Sequence, residues 1–254
     1  MVSPAADHSE GAADGGPLFS AANLSKSFGA LHVVRDVSFQ LDRGEVLGIL
    51  GPNGAGKTTL FNLISGDIAA DEGAIRLAGA RLDGQPAYRR ARMGIGRTYQ
   101  IPRPFSKMST LENLLVASRF AGQSDEKESF QLCGALLEEC GLLSRANRAA
   151  ASLTLLDRKR LELARALASD PALLLLDEIA GGLTEAEAAD LVELVRRIQK
   201  RGVTIIWIEH VLHAVMAVAT RMLVLNYGEK IAEGPPAKVI NDPEVKRIYM
   251  GVEA

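Results

Sequence analysis

The chain has 254 residues, of which 47% are hydrophobic and 24% charged, and its formal net charge is −2. This length and balance are typical of a globular protein with one large domain, or one domain and a small insert. The absence of a basic surplus argues against nucleic acid as the main partner, because binding a phosphate backbone requires excess lysine and arginine. No apolar run approaches the roughly 20 residues that span a bilayer, and no secretory signal is visible. We therefore expect a chain that does not cross a membrane by itself.

The first residues differ in composition from the rest of the chain. Residues 1–17 are rich in Ala, Gly, Asp and Ser and poor in large apolar residues, which predicts a disordered tail ahead of one domain over 18–254. The two cysteines, Cys133 and Cys140, would lie two turns apart on a helix, too far apart for a disulfide. We interpret them as reduced, half-buried thiols of a cytosolic protein.

Apolar patterning predicts strands and helices that alternate along the chain. In the first half it predicts two antiparallel strands over Phe19–Leu41, a buried strand at Val46–Leu50, a helix over Thr59–Ser65 and a strand pair over Ala74–Leu82. In the second half it predicts helices over Leu111–Ala121, Glu126–Cys140 and Arg158–Ala168, a strand at Leu173–Leu176, a helix over Glu185–Lys200, a strand at Val203–Ile208, a helix over Val211–Val218, a strand at Met222–Leu225 and a polar C-terminal stretch. This alternation indicates an α/β fold with a mostly parallel sheet, an antiparallel β subdomain and a helical insert over about 107–165.

A phosphate-binding loop (P-loop) motif joins the strand Val46–Leu50 to the helix that follows. The residues that fit G-x-x-x-x-G-K-[ST] are Gly51, Pro52, Asn53, Gly54, Ala55, Gly56, Lys57 and Thr58, and Thr59 comes next. Glycines let backbone N–H groups surround phosphate oxygens, and the helix N-terminus adds positive partial charge. We expect Lys57 to reach the β- and γ-phosphates of a nucleotide and the Thr58 hydroxyl to bind Mg²⁺. A glycine-rich turn with an incidental lysine is disfavoured by the flanking strand and helix, so the fold class is a P-loop NTPase core.

Two carboxylates, Asp177 and Glu178, follow the apolar strand Leu173–Leu176. Ligands of open α/β sheets bind at the carboxyl ends of the strands. Asp177 would hold Mg²⁺ through water, and Glu178 would act as the general base on the attacking water. Without the P-loop, an exposed acidic pair after a buried strand would be an equally good interpretation. His210 follows the strand Val203–Ile208 and could hydrogen-bond the γ-phosphate, although spacing alone favours a surface histidine.

Taken together, these segments resemble the nucleotide-binding domain of ATP-binding-cassette (ABC) proteins over nearly the whole chain from about residue 18. The resemblance implies ATP as the nucleotide and a stack of Phe28 on the adenine, where a core phenylalanine in a strand is the alternative. It implies that Gln100 senses Mg²⁺ and the attacking water, and that His210 is the switch histidine of the family. The implied metal ligands are Thr58, Gln100 and Asp177.

Three segments resemble the ATPases of bacterial branched-chain amino-acid importers. They are Arg97-Thr98-Tyr99-Gln100 with the following Ile101-Pro102-Arg103-Pro104-Phe105, then Ile208-Glu209-His210, and the tail Ile231-Ala232-Glu233-Gly234-Pro235 that ends in Tyr249-Met250-Gly251. Importers of urea, short amides or aromatic acids share such segments. The resemblance implies a peripheral subunit on the cytoplasmic face of the inner membrane. Its ATP hydrolysis would drive transmembrane permease subunits and serve a periplasmic binding protein indirectly.

One segment departs from the family pattern. The signature loop of the family normally reads Leu-Ser-Gly-Gly-Gln, whereas the matching residues here are Leu153-Thr154-Leu155-Leu156-Asp157. In the family this loop presses against the γ-phosphate held by the opposite subunit, and leucine resists the close backbone approach that glycine permits. We therefore expect a weaker grip on the partner's ATP. This favours a heterodimer with a second ATPase chain, while a homodimer is also possible.

Other functions for the same motifs stay open. A cytosolic ABC ATPase outside transport, such as an iron–sulfur assembly factor, is the main alternative, and the Gln100 segment and the tail speak against it. A chromosome-maintenance ATPase would carry a long coiled-coil insert, and a translation-type factor would usually carry two cassettes. A binding-only regulatory subunit is disfavoured because Lys57, Asp177, Glu178 and His210 are all present.

Overall fold

Strands and helices alternate through residues 16–121 and 125–250, which the computed structural model describes; the predicted tail lies almost entirely outside them. The first half contains β1 (Phe19–Phe28), β2 (Leu31–Leu41), β3 (Val46–Leu50), α1 (Lys57–Ser65), β4 (Glu72–Leu77), β5 (Ala80–Arg81), α2 (Ala87–Arg92), β6 (Ile95–Arg97) and α3 (Thr110–Ala121). The second half contains α4 (Glu126–Glu139), α5 (Leu155–Leu167), β7 (Leu173–Asp177), α6 (Glu185–Lys200), β8 (Thr204–Ile208), α7 (Leu212–Met216), β9 (Arg221–Asn226), β10 (Glu229–Gly234), α8 (Pro236–Ile240) and α9 (Pro243–Met250).

A six-stranded sheet in the order β10-β9-β3-β8-β7-β6 runs through the centre of the fold. Strand β3 pairs parallel with β8 and β9, and β7 pairs parallel with β8 and β6. The pairing of β10 with β9 is antiparallel. The predicted mostly parallel sheet is thus confirmed. Because parallel strands end at the same edge, the segments that follow β3, β6, β7 and β8 meet there.

A second sheet, in the order β2-β1-β4-β5, is antiparallel and confirms the predicted strand pairs at the N-terminal end. Its inner residues, such as Phe19, share one hydrophobic core with helix α1 and with one face of the parallel sheet. In α1 the side chains of Leu60, Phe61, Leu63 and Ile64 are buried, as predicted. Each such burial contributes about 1.5–3 kcal/mol, so these contacts fix the helix, and with it the loop that precedes it.

Helices α3, α4 and α5 share a separate core with residues of the parallel sheet, including Leu174 and Trp207. Cys133 and Cys140 lie in this core as free thiols, and they are fully buried rather than half-buried. Burial raises the pKa of the Cys133 thiol to about 11 and that of Cys140 to about 12. Both thiols are therefore protonated and unreactive at neutral pH.

Helix α5 begins earlier than predicted. It starts at Leu155 rather than Arg158, so both leucines of the unusual signature lie in its first turn. Thr154 is the N-cap, and its side chain accepts a hydrogen bond from the Asp157 N–H at 3.2 Å. Leucine is a strong helix former, and a threonine cap in front of it lets the helix extend through positions that glycine would weaken.

Some elements were not predicted from the sequence. Helix α2 and the short strand β6 were not predicted. Helix α1 begins at Lys57, inside the loop motif, and not at Thr59 as predicted. The stretch interpreted only as polar forms β10, α8 and α9. Within residues 16–121 and 125–250, no helix combines the length and apolar character needed to span a bilayer.

Candidate functional site

The loop between β3 and α1 has a backbone that glycine makes possible. Gly54 and Gly56 adopt left-handed conformations with φ of 81° and 99°. At Gly56 a Cβ atom would lie 2.4 Å from the Val33 carbonyl oxygen, so no side chain fits there. Gly56 is also the N-cap of α1 and provides no side-chain acceptor. The N–H groups of the first helical turn are therefore available to an anion such as a phosphate.

The side chain of Lys57, the first residue of α1, folds back into the loop that precedes the helix. Its Nζ donates to the carbonyl oxygens of Gly51 at 2.6 Å and Pro52 at 3.0 Å, and the residue is 6% exposed. Burial lowers the pKa of Lys57, while Glu178 and Asp177 oppose that shift. The present acceptors of this buried ammonium are neutral carbonyl oxygens, and charged phosphate oxygens are stronger acceptors, so Lys57 favours phosphate binding.

A cavity of about 490 Å³ lies in front of this loop. The predicted site residues that line it are Asn53, Gly54, Ala55, Gly56, Lys57, Thr58, Thr59, Gln100, Glu178 and His210. Val33, which the sequence analysis missed, also lines the cavity. Gly51, Pro52, Asp177 and Phe28 are not among the lining residues; Phe28 ends β1, is 51% exposed, and has the Lys26 ammonium 5.5 Å from its ring centroid.

Glu178 stands at the centre of the polar groups. The Gln100 Nε2 donates to its Oε2 at 2.6 Å, and the His210 Nδ1 lies 3.7 Å from the same oxygen. The backbone of Glu178 is left-handed, with φ of 44°, and its N–H donates to the Ile208 carbonyl at 2.9 Å. Such a conformation costs a non-glycine residue about 1–3 kcal/mol and persists where the surroundings enforce it, most often at functional sites.

Asp177 ends strand β7 and is 5% exposed. Burial raises the pKa of this carboxyl, and the neighbouring Arg97 guanidinium opposes the shift. The Arg97 Nη2 donates to the Asp177 Oδ2 at 3.3 Å. Oxygen ligands are those that Mg²⁺ prefers, and the Thr58 hydroxyl, the Gln100 amide oxygen and the Asp177 carboxylate are all of this type. The donor set therefore fits the implied metal.

Two buried charged residues brace the site and were missed from the sequence. Glu209 is fully buried and accepts hydrogen bonds from the backbone N–H groups of Ala180, His210 and Val211 at 2.7, 3.1 and 3.4 Å, and burial raises its pKa. Lys159 on α5 directs its Nζ to the Glu178 carbonyl at 3.3 Å, and burial lowers its pKa. Glu209 precedes His210 in the sequence, but no local sequence pattern indicates that its carboxylate binds both the backbone after β7 and the backbone after β8.

Comparison with known proteins places this geometry in a family. A family model described as "ABC transporter" matches residues 34–181. The high-affinity branched-chain amino acid transport ATP-binding protein LivG of Salmonella typhimurium is 38% identical over 250 residues, with 92% of this chain and 98% of the relative covered. The chain belongs to the ABC transporter family. A second model, described as "Branched-chain amino acid ATP-binding cassette transporter", matches residues 229–254 of this ABC protein.

Another relative and two solved structures agree with this assignment. The high-affinity branched-chain amino acid transport ATP-binding protein BraF of Pseudomonas aeruginosa is 36% identical over 250 residues, again 92% of this chain and 98% of the relative. The ADP conformation of MJ1267, an ATP-binding cassette of an ABC transporter, has a TM-score of 0.85 and 31% identity, covering 93% of this ABC protein and 99% of that chain. A nucleotide-free ATP-binding cassette has a TM-score of 0.84, also at 31% identity, over 93% of this chain and 100% of the other. This ABC protein is an ATP-binding ATPase subunit.

Proposed function

We propose that this subunit powers the import of branched-chain amino acids, or of related small amides or acids, through transmembrane permease subunits. The observation that carries the proposal is the match of residues 229–254 to the branched-chain amino acid cassette model. The names of LivG and BraF point to the same substrates. The subunit would lie on the cytoplasmic face of the inner membrane, attached to the permeases and only indirectly linked to a periplasmic binding protein.

The proposed domain organisation is one ATP-binding domain over 18–254, with a helical insert over about 107–165 and a preceding tail. In this division α3, α4 and most of α5 belong to the insert. These helices pack on one face of the parallel sheet, where they share a core with helix α6.

In the proposed site the cavity holds the triphosphate of ATP, and Phe28 stacks on its adenine. Lys57 moves from the carbonyls it binds to the β- and γ-phosphates, because charged oxygens are better acceptors than neutral ones. Thr58, Gln100 and Asp177 would hold Mg²⁺, which neutralises charge on the phosphates when it is bound.

The proposed hydrolysis begins with a water between Glu178 and the γ-phosphate. The Glu178 carboxylate takes a proton from this water while the water oxygen attacks the γ-phosphorus. The bond between the γ-phosphorus and the oxygen of the leaving ADP breaks. Gln100 orients the carboxylate through its 2.6 Å hydrogen bond. His210, whose Nδ1 lies 3.7 Å from the same carboxylate, would donate to a γ-phosphate oxygen.

Transport itself is tested by purifying the subunit in mild detergent together with its membrane partners. The complex, reconstituted in vesicles with ATP on the side of this subunit, is expected to take up radiolabelled leucine in an ATP-dependent manner. Uptake of urea or a short amide instead of leucine would show that the substrate is one of the related small amides and not a branched-chain amino acid. A subunit that purifies without any membrane protein, and hydrolyses ATP alone, would support the cytosolic alternative and contradict the importer.

The signature leucines give the proposed dimer an unequal character. Leu155 is 44% exposed on the first turn of α5, and its Cδ2 lies 3.4 Å from where a Cβ on Gly182 would stand. An apolar side chain thus occupies the place where glycine would leave the backbone open to the partner's γ-phosphate. This supports the proposal of a heterodimer in which the partner's ATP is gripped less firmly.

Replacing both leucines, Leu155→Gly with Leu156→Gly, is expected to raise ATP hydrolysis by the dimer several-fold. Glycine weakens the start of α5 by about 1 kcal/mol per residue relative to alanine. The double alanine variant is therefore tested beside it, since it removes the bulk and keeps the helix. Turnover is measured together with dimer content by light scattering. An intact dimer that hydrolyses ATP no faster in either variant would contradict the proposed effect.

A further inference from the structure

The Arg97 side chain is buried between the helix that follows the P-loop and the carboxylate assigned to the metal. Its side chain is only 9% exposed, although it carries a permanent charge. Burying a guanidinium is unfavourable unless its donors are paired. The partners of Arg97 therefore indicate what its placement does.

The Nη1 of Arg97 binds three groups on or just after α1. It donates to the Asn62 Oδ1 at 2.8 Å, the Ser65 Oγ at 2.8 Å and the Asp67 Oδ2 at 2.6 Å. These contacts anchor the guanidinium to the helix that begins at Lys57. One end of Arg97 is thus tied to the phosphate-binding element.

The Nη2 of the same guanidinium donates to the Asp177 Oδ2 at 3.3 Å. Aromatic rings flank the group, with its Cζ 4.9 Å from the Tyr99 ring centroid and 6.0 Å from that of Phe61. Rings and anchors together restrict the guanidinium to one orientation. The planar arginine fork contacts Asp67 and Asp177 from two different nitrogens, whereas a lysine ammonium would have to reach both carboxylates from one nitrogen.

A purely structural role would be satisfied by the contacts to α1. Arg90 shows what such a role is like: it is 3% exposed and donates to the carbonyls of Leu63 and Ile64 at the end of the same helix. The distinguishing contact of Arg97 is the one to Asp177, at the carboxyl end of β7.

We propose that Arg97 is the positioning residue of the magnesium site, which holds Oδ2 of Asp177 and leaves Oδ1 as the oxygen available to the metal's bound water. This inference rests on the proposed role of Asp177. Without Arg97 the carboxylate would be free to rotate about its side-chain bonds. Magnesium would then have to order it, and the affinity for the metal would fall, while phosphate contacts to the P-loop would stay.

The test is to titrate a fluorescent ATP analogue into Arg97→Gln, with Mg²⁺ and separately with EDTA. The variant is expected to bind the analogue in EDTA as the unmodified protein does, and to need about tenfold more Mg²⁺ to reach the magnesium-dependent affinity, in keeping with one lost hydrogen bond to a charged group. Arg90→Gln is the matched control, since it removes a buried arginine of α2 that also binds α1 but does not touch Asp177. An Arg97→Gln variant with unchanged magnesium dependence would overturn the inference, as would an equal shift in Arg90→Gln.

Two further variants keep the outcome interpretable. If Arg97→Gln does not fold, Arg97→Lys is measured instead; its ammonium lacks the planar fork and would have to reach both carboxylates from one nitrogen, so a several-fold shift is expected and no shift contradicts the proposal. Asp177→Asn separates the two levels of inference. If it leaves the magnesium dependence unchanged, the role of Asp177 itself is wrong. If it shifts that dependence and the Arg97 variants do not, only the positioning role fails.

Discussion

Glu178→Gln is expected to leave ATP binding intact and to lower steady-state hydrolysis by about 10²- to 10⁴-fold, the contribution of a general base. Glutamine has nearly the same shape and keeps a polar partner for Gln100, which lies 2.6 Å from the carboxylate. An amide cannot accept the proton of the attacking water at neutral pH. The substitution is therefore expected to affect the hydrolysis step and not the binding of ATP.

The measurement pairs a phosphate-release assay with equilibrium binding of a fluorescent ATP analogue. Glu185→Gln, an exposed carboxylate in the first turn of α6, serves as the control for the loss of one charge. Normal steady-state turnover in Glu178→Gln would remove Glu178 as the base. Loss of ATP binding in that variant would instead assign it to the binding surface.

Lys57→Ala is expected to weaken ATP binding by about 10- to 100-fold, because each hydrogen bond to a charged group contributes about 1.5–3 kcal/mol and each 1.4 kcal/mol is a factor of ten. The variant loses the ammonium that would reach the phosphates. It also loses the brace that Lys57 provides to the carbonyls of Gly51 and Pro52 in the described structure. Hydrolysis at sub-saturating ATP should fall at least in proportion.

Isothermal titration of ATP into Lys57→Ala tests this result, with Lys200→Ala on the exposed end of α6 as the control for the lost positive charge. A melting curve without nucleotide reports whether the loop brace stabilises the free protein. ATP affinity equal to that of the control would contradict the assignment of the phosphate loop.

The parts of the fold that the sequence predicted are those with local signals. Strand β3, the glycine-rich loop and helix α1 lie next to one another, so one motif predicts all three. The four leucines before Asp177 and the period of Glu185–Lys200 are equally local patterns, and the structure confirms both elements. Thr154 is also a local N-cap signal for α5, but the glycine-containing loop of the family predicts a later start for this helix.

The parts that escaped prediction depend on distant partners. Strand β6 has three residues and forms because Ile95, Gly96 and Arg97 pair with β7. A Cβ on Gly96 would lie 3.0 Å from the Ala166 carbonyl oxygen and from Pro171, a close approach that no local pattern reports. The buried charged side chains of Arg97, Lys159 and Glu209 likewise hydrogen-bond to residues that are distant in the sequence. Composition predicts exposure for such residues, and only tertiary contacts explain their burial.

The left-handed backbone of Glu178 sets stability against activity at one position. Glycine has no steric penalty at φ of 44°, so removing the side chain would relieve about 1–2 kcal/mol of backbone strain. The same change deletes the carboxylate to which we assign the base. A chain stabilised by glycine at position 178 would thus be an inactive ATPase, so backbone strain and turnover are coupled at this one residue.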